Sequence, residues 1–119
     1  MATAAAVAVA LVGVLHLVFL VLEMFLWTRP LGRKVFRLKA DFAQASAPLA
    51  ANQGLYNGFL AAGLLWGAWL GASGFAIQLF FLSCVVIAGV FGAATANRGI
   101  LWVQALPGAA ALALVMAAH

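Results

Sequence analysis

The stretch TAAAVAVALVGVLHLVFLVLEMFLW, residues 3–27, is aliphatic or aromatic almost throughout, yet it contains two ionisable side chains, His16 and Glu23. Its length exceeds the roughly 20 apolar residues that carry a helix across a bilayer. A helix turns by about 100° per residue, so His16 and Glu23, seven positions apart, share one face with Gly13, Leu20 and Trp27. A charged side chain at the bilayer centre costs about 2.5–3.5 kcal/mol on insertion scales, so that face is expected to turn away from lipid, toward other helices or water. An ionisable residue at such depth is a candidate for function by default.

The rest of the chain has the same character. Of its 119 residues 68% are hydrophobic and 7% are charged, against about 25% charged in soluble domains. An ordinary soluble domain is excluded. Residues 3–27, 49–71, 75–96 and 100–118 are apolar and long enough, or nearly so, to cross a membrane, and they leave no room for a second domain. The expected fold is all-α: a polytopic membrane protein, an antiparallel four-transmembrane-helix bundle forming a single membrane domain over residues 1–119. No Lys or Arg precedes the first span, and its run is longer than the apolar region of a signal peptide, so it is expected to be retained.

The formal charge of +4 is concentrated: Arg29, Arg33, Lys34, Arg37 and Lys39 lie in one connection, residues 28–48, and Arg98 lies in the third. Basic residues collect on the cytoplasmic side, which predicts both termini outside and argues against nucleic acid as the partner. Within the basic segment Leu31, Val35, Leu38, Phe42 and Ala45 recur at helical spacing opposite Arg33, Lys34, Arg37, Asp41 and Gln44. This predicts an amphipathic helix over residues 31–45 on the membrane surface, anchored by anionic lipid at about 1 kcal/mol per basic side chain. Cys84 stands alone within a span and reads as a small buried hydrophobe.

Pro48 suits the first turn of the second span, which then carries Gln53, Tyr56 and Asn57. Gly54, Gly58 and Ala62, and again Gly63, Gly67 and Gly71, have the spacing that lets helices pack closely in lipid. Residues 71–74 read as a short outer turn flanked by interfacial Trp66 and Trp69, with Gln78 beyond it, isolated from the other polar groups. In the fourth span Gln104 lies just inside the boundary marked by Trp102, and Pro107 frees a carbonyl near Val103. His119 has no assigned role.

Depth follows from counting along each span at about 1.5 Å per residue. Glu23, Gln53 and Gln104 each lie four residues, about 6 Å, from the cytoplasmic end of their spans, with Asn57 one turn deeper and His16 near the middle. This predicts a polar layer of Glu23, Gln53, Asn57, Gln104 and Tyr56, edged by Trp27 and floored by His16. Amides in bundles often only tie helices together, at about 0.6 kcal/mol per bond. Glu23 differs, because Gln or Ser would serve that purpose at lower cost. Two turns separate His16 from Glu23 and no second thiol accompanies Cys84, so no metal or other cofactor is expected; His16 is the one side chain that could serve as a haem ligand.

The first-span pattern of His16, Glu23 and Trp27, the proline-ended basic turn, and Asn52-Gln-Gly-Leu-Tyr-Asn57 followed by Phe59-Leu-Ala-Ala-Gly with Leu65 and Trp66 resemble the small four-helix bacterial membrane proteins grouped as domain of unknown function 1304. The resemblance implies a fold and a location rather than an activity, and it points to His16, Glu23, Gln53, Tyr56 and Asn57. The expected function is binding of a lipophilic small molecule in an intramembrane pocket, with acid/base chemistry by Glu23 and His16 and with Gln53, Tyr56, Asn57, Gln104 and Trp27 as ligand-binding residues. A proton-coupled exporter of lipophilic compounds and an accessory or assembly protein are the alternatives. The exporter shares only architecture with small multidrug transporters. Membrane lipid is the expected surrounding partner, and a homo-oligomer suits so small a bundle.

Overall fold

A backbone surrounded by hydrocarbon must satisfy its own hydrogen bonds, and helices do so within one segment. In the computed structural model, which describes residues 1–119, every regular element is helical. In order these are α1 (Ala2–Met24), α2 (Pro30–Phe36), α3 (Ala40–Leu70), a 3-10 turn (Gly71–Gly74), α4 (Phe75–Thr95), a π turn (Leu101–Ala105) and α5 (Leu106–Ala118). Three helical stretches, Ala2–Met24, Ala40–Thr95 and Leu101–Ala118, are long and apolar enough to cross a membrane. Large apolar side chains such as Phe59, Trp69, Ile87, Phe91 and Trp102 lie exposed on their surfaces, as lipid contact would require.

The stretch Ala40–Thr95 is interrupted where Gly71 takes φ +63°, a conformation that side chains disfavour. Beyond it α4 folds back along α3, so that a methyl at Gly63 would overlap the Phe81 ring and Gly67 faces Gln78. Gln78, expected to stand apart from the other polar groups, braces this turn through main-chain carbonyls. Its Nε2 donates to the carbonyls of Gly67 at 2.7 Å and Gly71 at 3.2 Å. Gln78→Leu should therefore lower stability by about 1–2 kcal/mol, measured by unfolding in mixed detergent micelles; a change near zero would mean that the turn holds without it.

The chain divides into two compact units, residues 14–61, and residues 1–13 with 62–119. In the first unit α1 and α3 run antiparallel: Gly58 meets Leu20, and Gly54 meets Met24 and Glu23. In the second, α4 and α5 with its π turn run antiparallel, Gly92 against Ile100, Gly89 against Ala105, and Gly108 against Val85. The ring of His119 stacks on Phe75 at 3.7 Å. The π turn precedes Pro107, which has no N–H to give, and Leu106 N–H donates back to Leu101 O.

The basic segment departs from the expected single helix over residues 31–45. α2 closes at Arg37, in the left-handed region at φ 56°, where Leu38 N–H donates to Arg33 O at 2.8 Å. A new helix begins at Ala40 with Asp41 in its first turn, where an acidic side chain complements the helix dipole. The second half of the amphipathic pattern thereby continues into the apolar run. Pro48, expected at a first turn, lies inside α3. The first helix ends at Met24, earlier than Trp27, where Phe25 and Leu26 N–H both donate to Val21 O.

Candidate functional site

Glu23 lies in the last turn of α1 and is 6% exposed. Gly54 allows α3 to approach it, since a Cβ there would sit 3.1 Å from Glu23 Cβ and 3.2 Å from Leu20 O. Gln53 and Asn57, four residues apart, share a face of α3 and reach the same carboxyl. Gln53 Nε2 donates to Glu23 Oε2 at 3.1 Å, and Asn57 Nδ2 donates to Oε1 at 2.5 Å. Each carboxyl oxygen thus has its own neutral donor.

Beside this carboxyl opens a cleft of about 150 Å³ lined by Glu23, Trp27, Ser46, Leu49, Ala50 and Gln53. Trp27 forms a fixed wall. Its indole N–H donates to Ser46 Oγ at 3.0 Å, the Ser46 hydroxyl donates to Phe42 O at 2.6 Å, and the ring lies 4.9 Å from that of Phe36 in α2. Glu23 is the single titratable side chain in the lining, so proton exchange with an occupant would pass through it. A space of about 150 Å³ admits a molecule the size of benzene, or one ring or head of something larger.

Four of the expected site residues, Glu23, Trp27, Gln53 and Asn57, come together here. His16 is fully buried two turns deeper in α1, about 10 Å along the axis, with the Phe19 ring edge-on at 5.2 Å. Tyr56 is exposed, its ring beside Phe59, and does not line the cleft. Gln104 belongs to the other compact unit, where its Nε2 donates to Val85 O at 3.0 Å. Ser46 was not among the expected residues, because the sequence pattern puts it in a linker between helices. Once α3 starts at Ala40, Ser46, Ala50, Gln53 and Asn57 form one helical stripe, which is the signal that would have found it.

Residues 10–116 match the family described as protein of unknown function (DUF1304). The chain belongs to that family. Every residue of the Glu23 cleft lies within the DUF1304 match. Over 96 residues, 79% of each chain, this DUF1304 member is 28% identical to an uncharacterized protein, YpaA, of Lactococcus lactis subsp. lactis (strain IL1403). No solved structure matches it.

Proposed function

We propose that the protein is a four-span bundle of the bacterial inner membrane, with residues 28–48 cytoplasmic and both termini outside, whose Glu23 cleft binds a small neutral lipophile. Glu23 would remove and return a proton during an isomerisation, ring opening or cyclisation of that molecule, and Gln53 and Asn57 would hold the carboxyl in place. The observation that carries this reading is the buried carboxyl itself, engaged by two amides at the edge of a benzene-sized cleft. The antiparallel pairing of α1 with α3 and of α4 with α5 supports the four spans. The size of the cleft favours a compact ring or head over a whole phospholipid.

Native mass spectrometry with lipid extraction on wild type and Glu23→Gln protein tests the reading. A specific non-phospholipid adduct in wild type, reduced at least about tenfold in the variant, is expected. Bulk phospholipid alone in both proteins would dismiss the cleft as a ligand site. Substrate-driven proton movement in proteoliposomes, abolished by Glu23→Gln and without turnover, would replace catalysis by export.

A further inference from the structure

A second concavity, larger and of opposite character, runs along the outer face of α1. It has a volume of about 340 Å³ and is lined entirely by aliphatic side chains, among them Val14, Leu17, Val18, Val21, Leu26 and, from α2, Leu31. From Val14 to the end of α1 at Met24 the helix rises by about 15 Å, matching the roughly 15 Å depth of one leaflet's hydrocarbon. The groove is therefore as long as one acyl chain in one leaflet. Basic residues flank its Leu31 end in the sequence. Arg29 precedes that residue and is exposed, while Lys34, one turn after it on the same side of α2, is also exposed. Arg33 Nε, close by in sequence, is buried without a protein acceptor.

The carboxylates do not neutralise this end. Glu23 is occupied by Gln53 and Asn57, and Asp41, the other Asp or Glu of the chain, begins a different helix. We infer that the groove and the basic end of α2 form a binding site for one anionic phospholipid, with an acyl chain along Val14 to Leu26 and the phosphate near Arg29 and Lys34. A zwitterionic lipid would gain the same apolar contact but little from the basic groups, so the site selects by headgroup charge. The inference stands independently of the Glu23 cleft.

The test uses the full chain in neutral detergent, titrated with phosphatidylglycerol or phosphatidylcholine of matched acyl chains and read by native mass spectrometry. Wild type should retain one phosphatidylglycerol about tenfold more tightly than phosphatidylcholine. Arg29→Gln with Lys34→Gln should bring the two lipids to equal retention. Val18→Trp, which fills the groove at an exposed position, should weaken both lipids. Glu23→Gln should leave the preference unchanged. Unchanged helicity by circular dichroism separates these effects from misfolding. Equal retention of the two lipids by wild type, or a preference that survives the double substitution, would overturn the site. A dimer lost in Val18→Trp, with lipid retention unaltered, would also overturn it and assign the groove to a second copy of the chain.

Discussion

Gly32→Ala is expected to lower stability by about 2–4 kcal/mol, the largest effect of any single methyl in the Glu23 unit. Gly32 is buried in α2, and a Cβ there would coincide with the main-chain carbonyl of Leu26 just beyond α1. A side chain can rotate out of such an overlap, but a carbonyl in a tight turn cannot, since Leu26 O already accepts from Arg29 N–H at 3.0 Å. α2 would have to lift away from α1. Phe36 would then leave the Trp27 ring, so the wall of the cleft should loosen with the fold. Unfolding in mixed detergent micelles, with the quenching of Trp27 fluorescence read in a background where Trp66, Trp69 and Trp102 are replaced by Phe, measures both. A variant within about 0.5 kcal/mol of wild type, the range of neutral surface substitutions, would show that this close approach is not needed.

Asn57→Leu should cost about 1–2 kcal/mol and abolish ligand retention. The substitution keeps a similar volume but leaves Glu23 Oε1 without its donor in a buried site. Orphaned buried polar groups cost about 1–3 kcal/mol in general, while single bonds in membrane bundles reach about 1.7. Repeating it in a Glu23→Gln background isolates the pair: if the bond is what matters, the cost of Asn57→Leu should shrink by about 0.5 kcal/mol or more when the carboxylate is gone. Additive costs would mean that Asn57 packs rather than pairs. Loss of stability without loss of ligand would confine the two amides to a structural role.

Much of this architecture was legible from residue order. Helicity, the turn at residues 71–74 and the close-packing role of Gly54, Gly58, Gly63 and Gly67 follow from composition and spacing. So does the meeting of Glu23 with Gln53 and Asn57, because position along a helix is linear in residue number and antiparallel neighbours then share depth. Azimuth is not linear in this way. Helices apolar on every side have almost no moment to say which face turns inward. Tyr56, next to Asn57, is exposed.

By itself, then, the sequence determined that the chain is helical, that its apolar runs are long enough for a membrane, and that a lone carboxyl would be met by amides of a facing helix. Hydrogen-bond closure and the cost of an unaccompanied charge leave no other course in an apolar chain. The tertiary structure drew Ser46 and Trp27 into one wall beside that carboxyl. It also used Gln78 to brace a turn and broke the basic segment at Arg37. Those outcomes depend on which faces of the helices touch, and contact between faces is set by the fit of glycine against side chain and backbone, which only the folded chain brings together.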